Sequence, residues 1–161
     1  PEKYLGKDFR KTRDLSEEEL EALGSPIELS LCVDAAYSDK SNATEYRGVW
    51  TFNTDEEVFR AGPFKGGSNN IGEFLAIVHA LAWLQNQREN KMRELPIYSD
   101  SKYAMKWVMA GRCNSKKLNE VQIIQLVRRA EKWLQNNSFK NPILKWQTKA
   151  WGEIPADFGR K

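Results

Sequence analysis

The 161-residue sequence predicts an α/β domain in which a mixed five-stranded sheet carries helices packed on it. Three observations lead there. Three strand-like runs follow one another near the N-terminus, which suits antiparallel pairing. Beyond residue 70, two further strand-like runs alternate with stretches of helical apolar spacing, which argues for a mixed sheet covered by helices. A composition of 40% hydrophobic and 29% charged residues describes one globular domain with a single substantial core.

Residues 1–24 are dense in charge and poor in large apolar side chains. They read as a charged linker or peripheral segment ahead of a domain spanning 25–161. Within them, Ser16 and Glu19 have capping-box spacing, so a short helix is expected over Ser16–Glu21. The Gly24-Ser25-Pro26 break ends it. Ile27–Ala35 is the first strand, with Ile27, Leu29, Leu31 and Val33 on one side and Ser30, Cys32 and Asp34 on the other. Glu45–Thr54 and Glu56–Gly62 are the next two, joined by a hairpin turn at Asn53-Thr54-Asp55.

A polar loop, Lys65-Gly66-Gly67-Ser68-Asn69-Asn70, precedes a long helix to about Gln87. Its apolar residues are Ile71, Phe74, Leu75, Val78, Leu81, Trp83 and Leu84. Leu95–Ser99 is a short strand and Ser101–Met109 a helix. After the polar connection Gly111–Lys117, Leu118–Asn136 is a second long amphipathic helix, expected to turn Val121, Ile124, Val127, Ala130, Trp133 and Leu134 inward. Ile143–Thr148 closes the sheet.

Several function classes drop out. No run approaches the roughly 18 apolar residues of a membrane-spanning helix. Pro1-Glu2-Lys3-Tyr4 is too charged for a secretory signal and lacks an initiating Met, so a processed or excised piece of a longer protein is expected. Cys32 and Cys113 have no second Cys or His at ligand spacing, which argues against a disulfide scaffold and a zinc site and for a reducing, cytoplasmic location. The single His79 lies among Ile77, Val78 and Leu81, where packing explains it. Charge is uneven: residues 1–100 hold 12 Lys/Arg against 18 Asp/Glu, a net of −6, and residues 101–161 hold 13 against 4, a net of +9. The basic second half points to a polyanionic partner.

Four acids stand out. Asp34 comes late in the first strand, and Asp100 directly follows Ile97-Tyr98-Ser99. Adjacent strands lie about 4.7–4.9 Å apart, so parallel neighbours ending here would hold two carboxylates together. Glu73 sits in the first turn of the predicted long helix, and Asp157 lies just beyond the last strand. Carboxylates that close repel unless a cation intervenes, and hard divalent ions prefer oxygen ligands. Strand carboxyl ends are also where open α/β sheets do their chemistry. Taken singly, each acid has an ordinary explanation in turn chemistry or helix-dipole preference.

Cys32-Val33-Asp34-Ala35-Ala36, Ser68-Asn69-Asn70-Ile71-Gly72-Glu73, Tyr98-Ser99-Asp100-Ser101-Lys102-Tyr103 and Ala156-Asp157 occur in that order. Over residues 27–161 this resembles the type 1 ribonuclease H family, which cleaves the RNA strand of RNA–DNA hybrids. The resemblance implies that Asp34, Glu73, Asp100 and Asp157 are the catalytic, metal-binding carboxylates, with Asp34 bridging two Mg²⁺ ions, or Mn²⁺ in their place. It implies two-metal hydrolysis giving 5′-phosphate and 3′-hydroxyl ends. For substrate contact it points to Ala35, Ala36, Tyr37, Asn69 and Glu73 at the RNA 2′-hydroxyls. Ser68, Asn70 and Ser101 would meet the DNA strand, and Lys102 and Lys149 backbone phosphates. The expected partner is the hybrid duplex, with no membrane and a monomeric chain.

The chain departs from the family pattern twice. Many members carry a His in the loop after the last strand, where alignment places Trp151; Glu153, on the same loop, is a candidate for proton transfer in its stead. The connection at Gly111–Lys117 is short where some members insert a basic helix and loop. Some members also carry a hybrid-binding domain ahead of a linker, and residues 1–24 fit either the remnant of such a linker or a plain tail. Two other readings stand beside hybrid cleavage: a non-catalytic nucleic-acid-binding module, and a related nuclease acting on another duplex or a junction.

Overall fold

The computed structural model describes residues 13–159; the first twelve residues of the charged segment lie outside it. Helix α1 (Glu17–Leu23) opens with the capping box that the sequence encodes. Glu19 N–H donates to Ser16 Oγ at 3.3 Å, and Ser16 N–H donates to Glu19 Oε1 at 3.0 Å. Strands β1 (Leu31–Ser38), β2 (Ala43–Trp50) and β3 (Glu57–Lys65) follow, then α2 (Asn69–Gln85) and the short α3 (Asn90–Arg93). β4 (Ile97–Ser99), α4 (Lys102–Ala110), α5 (Val121–Asn136), β5 (Ile143–Lys145) and α6 (Thr148–Trp151) complete the chain. The sheet runs β3-β2-β1-β4-β5. The first three strands are antiparallel, and β1, β4 and β5 are parallel.

Strand alternation sorts the core into two layers. Leu31, Val33 and Ala35 face α2, whose Ile71, Phe74, Ile77, Leu81 and Leu84 are fully buried against the sheet. Cys32, Val49, Tyr98, Leu144 and Trp146 face the other way and pack with Ile154 and Ala156. Residues 13–15 dock beside this second layer. Leu15 N–H donates to Gln147 Oε1 at 3.0 Å, and Gln147 Nε2 donates to the Arg13 carbonyl at 3.1 Å. Asp14 bridges Lys102 and Lys145, each at 3.1 Å.

Several boundaries differ from the sequence expectation. β1 starts at Leu31, because Ser30 closes a local turn: its N–H reaches the Glu28 carbonyl at 3.0 Å and its Oγ the Ile27 carbonyl at 2.6 Å. Leu29 is correspondingly exposed. α2 begins two residues early, capped by Ser68 Oγ accepting from Ile71 N–H at 3.1 Å, which moves Glu73 from the first turn to the start of the second. α5 begins at Val121, which is 70% exposed; Ile123, Val127 and Ala130 carry the buried stripe, with Ile124, Trp133 and Leu134 half-buried. β5 stops at Lys145, and Thr148–Trp151 is helical, with Trp151 N–H bonded back to the Gln147 carbonyl at 2.9 Å.

His79 packs, as its surroundings in the sequence indicate. Its ring stacks on Phe59 with centroids 4.2 Å apart, and its Nδ1 lies 2.9 Å from the Tyr46 hydroxyl. Burial, reinforced by nearby Arg129, holds its pKa below the ordinary 6.5. Both cysteines are buried free thiols. Among the described residues no helix is long and apolar enough to cross a membrane.

Candidate active site

β1 and β4 pair over only two positions, Leu31↔Ile97 and Cys32↔Tyr98. Beyond these the strands part. Asp34 and Asp100 each lie two residues past the Cys32–Tyr98 pair, so the register that joins the strands also brings the two acids level. Glu73 enters the gap from the helix layer. Its Oε1 accepts the Ala35 N–H at 3.2 Å, and its Oε2 accepts the Ser99 hydroxyl at 3.0 Å. Ser99 Oγ in turn accepts the Ser101 N–H at 3.1 Å. Glu73 is thus fixed to both separated strands.

Carboxylate oxygens of Asp34, Glu73 and Asp100 all lie within 4.8 Å of one another. Asp34 is fully buried, Glu73 is 2% exposed and Asp100 is half-buried. An all-oxygen, all-carboxylate donor set of this kind fits a hard divalent cation such as Mg²⁺ or Mn²⁺.

Asp157 stands outside that tight trio. Its Oδ2 accepts the Gly159 N–H at 2.9 Å, whereas its Oδ1 is buried without a hydrogen-bond partner among the described residues. An oxygen in that state is costly unless a proton or cation completes it, which is also consistent with a metal ligand. Arg47, absent from the sequence reading, pairs directly across β1–β2 from Asp34. It donates through Nε to the Ala156 carbonyl at 2.8 Å and through Nη2 to the Asp157 carbonyl at 2.6 Å. The cross-strand register shows Arg47 opposite Asp34, and only the tertiary structure shows its reach to the Ala156 and Asp157 carbonyls; the one local signal is a lone cation in an alternating strand.

Of the residues expected at the substrate, Ser68, Asn69, Asn70 and Ser101 lie at helix starts and Ala35, Ala36 and Tyr37 on β1. Asn69 Oδ1 accepts the Tyr37 N–H at 2.8 Å, and Asn70 Oδ1 accepts the Ser101 hydroxyl at 2.8 Å. Each amide's Nδ2 group is therefore turned away from these internal bonds. Ser68 and Ser101 cap α2 and α4. The Ala35 and Tyr37 amides are engaged internally, and Ala36 is buried beside them. Lys102 is paired with Asp14, while Lys149 and Glu153 are exposed on α6 and the turn after it.

Trp151 has a packing role. It meets Trp146 at 4.9 Å and Tyr98 at 5.7 Å between ring centroids, and its Nε1 donates to the Gly24 carbonyl at 2.9 Å. The approach of α2 to the sheet rests on Gly72, where a Cβ would lie 2.6 Å from Ala35 Cβ and 2.7 Å from Thr44 Cγ2.

A family model described as RNase H matches residues 27–150, a span that includes Asp34, Glu73 and Asp100 and stops short of Asp157. Among solved structures, LC11-RNase H1, isolated from compost by a metagenomic approach, aligns at 12% identity with a TM-score of 0.49. The alignment covers 77% of this chain and 88% of that one.

Proposed function

This chain belongs to the RNase H family, and we propose that it is a divalent-metal-dependent endoribonuclease that hydrolyses the RNA strand of RNA–DNA hybrids. The observation that carries the reading is the meeting of Asp34, Glu73 and Asp100 within 4.8 Å at the parting of β1 and β4. Asp34, Glu73, Asp100 and Asp157 would hold the metal. Ions bound there supply a more acidic water for attack on the scissile phosphorus and charge stabilisation for the departing 3′ oxygen. The products carry 5′-phosphate and 3′-hydroxyl ends.

The protein's own part is positioning. Glu73 is held through both oxygens, so it meets its ligand with little freedom left to lose. Asn69, oriented by the Tyr37 N–H, offers its Nδ2 donor to the RNA strand, where 2′-hydroxyls distinguish RNA from DNA, and Asn70, oriented by Ser101 Oγ, offers its own to the DNA strand. Ser68, Ser101 and the backbone at Ala35–Tyr37 border the same surface. Lys102 and Lys149 serve phosphates, which set orientation and salt dependence rather than sequence. With Trp151 engaged in packing, Glu153 takes up proton transfer; a Glu153→Gln variant with unchanged turnover at every pH removes it from that role.

The test is cleavage of labelled RNA–DNA, RNA–RNA and DNA–DNA duplexes with Mg²⁺, with Mn²⁺ and with EDTA. Cutting confined to the RNA of the hybrid, and abolished by EDTA, is expected. Cleavage of DNA–DNA with equal efficiency points to the junction or duplex nuclease, and hybrid binding without cleavage to a non-catalytic module.

A further inference from the structure

Asp157 sits on an irregular loop, and a carboxylate on such a loop serves a metal only if something holds its backbone. The loop's apolar residues supply part of the hold: Ile154 and Ala156 are buried in the second core layer, and Asp157 N–H closes a turn onto the Ile154 carbonyl at 2.9 Å. Arg47 supplies the rest. Its guanidinium grips two consecutive carbonyls, those of Ala156 and Asp157, and lies 5.1 Å from the centroid of the Phe158 ring. Arg60 lies 5.2 Å from the same ring. Glu57 accepts from Arg47 Nη1 at 3.4 Å and from Arg60 Nε at 3.0 Å, tying the two cations together.

We infer that Arg47 is the positioning residue that presents Asp157 to the metal site, with Phe158 as its second anchor. The inference rests on the proposed nuclease reading. Arg47 stands opposite Asp34 in the β1–β2 ladder, so one side chain couples the strand that carries the central aspartate to the loop that carries the last one. Three properties make arginine the suitable residue. A fork of donors spans adjacent carbonyls, a planar face packs on an aromatic ring, and the charge persists at all working pH values. Lysine offers one compact donor group and no plane. Arg47 acts through Asp157 and touches no reacting atom.

The experiment is a double-mutant cycle. Arg47→Met, Arg47→Lys and Phe158→Ala are each made in the parent chain and in Asp157→Asn. Steady-state kinetics on labelled RNA–DNA hybrid are measured, together with calorimetric titration of Mn²⁺ alone into substrate-free protein. Arg47→Met should lower kcat and Mn²⁺ affinity by about 10- to 100-fold, the usual effect of losing an outer support of a metal ligand. KM should stay within about two-fold, since hybrid grip lies elsewhere. Arg47→Lys should keep the fold and show a smaller loss, and Phe158→Ala a smaller one again. In the Asp157→Asn background the Arg47 variants should add nothing further, because the group they position is already disabled.

A merely structural role gives the same loss in both backgrounds, and that result overturns the inference. So does an Arg47→Met or Arg47→Lys chain that keeps parental kcat and Mn²⁺ affinity. Where Asp157→Asn leaves too little activity to follow, Mn²⁺ affinity carries the cycle. Failure of the nuclease reading looks different: the parent itself would cleave no hybrid, and Asp100→Asn would leave Mn²⁺ binding unaltered.

Discussion

Replacing Gly72 with Ala should separate the metal site's two supports by a calculable amount. The new methyl would lie 2.6 Å from Ala35 Cβ and 2.7 Å from Thr44 Cγ2, whereas ordinary contact begins at 3.4 Å. The start of α2 must therefore retreat from β1 and β2 by about 0.8 Å, the shortfall in that contact. The Glu73 Oε1 to Ala35 N distance, 3.2 Å now, would stretch to about 4 Å, beyond hydrogen-bond range. Overpacking of this kind costs about 1–3 kcal/mol, which for a chain of this size lowers Tm by about 2–4 °C per kcal/mol. Displacement by most of an ångström also costs up to about 10²-fold in rate. The assay is kcat on RNA–DNA hybrid at 25 °C, with Tm measured alongside. Gly111→Ala is the control: Gly111 has φ of +75° with nothing near its missing Cβ, so strain should lower Tm while kcat is kept. Parental kcat and Tm in Gly72→Ala would refute the claim that close helix–sheet approach sets Glu73 in place.

Other expectations follow from the same geometry. Asp100→Asn should abolish cleavage and leave the fold intact, with a higher metal-free Tm because repulsion among clustered carboxylates is relieved; full activity with Mg²⁺ would remove the proposed site. Asn69→Ala with Asn70→Ala should raise KM by about ten-fold with a smaller effect on kcat, each lost bond being worth about 0.5–1.5 kcal/mol, and unaltered kinetics would count against both contacts. Acid should act through His79. Burial depresses its folded pKa below 6.5, so the unfolded chain takes up the proton first. Stability is then lost as pH falls from about 6.5 towards the folded value. His79→Gln should flatten that part of the Tm-against-pH curve, and an unchanged curve would place the acid sensitivity elsewhere.

The strands and helices along the chain were legible because each leaves a local mark, and the gathering of the acids through the family resemblance. Alternation marks β1 to β3, helical spacing marks α2 and α5, and Asp100 follows a short hydrophobic strand; Asp34 reads as late in its strand, whereas β1 runs on to Ser38. On α5 the expected stripe through Val121 is replaced by one through Ile123: the helix begins at Val121, whose side chain is exposed, and Ile123, two positions on, is the buried residue of the first turn. Ser30 shows the opposite limit. Its side chain caps a turn inside what alternation reads as strand, and hydrogen bonding to nearby carbonyls leaves no trace in apolar periodicity. The docking of Leu15 through Gln147 and the hold of Arg47 on Ala156 and Asp157 join residues more than a hundred positions apart. Such pairings depend on which strands become neighbours, which no single stretch of sequence states.

The location of the site follows from a shortage of sheet. Alternation sends the Asp34 side chain to the second layer, while Glu73 belongs to a helix on the first, so an uninterrupted sheet would keep them on opposite sides. They meet because β4 has only three residues and its ladder with β1 ends at Cys32–Tyr98. Past that point Ala35 N–H donates to Glu73, and Ser99, still held to β5 through its carbonyl and Trp146 N–H at 2.8 Å, donates its hydroxyl to the same carboxylate. Glu73 thereby satisfies, at the Ala35 N–H, a ladder group the parted strands have left over, and in doing so brings negative charge beside two aspartates. Satisfying the backbone and gathering the acids are one arrangement. The repulsion it creates is the physical reason that a divalent cation suits the gap.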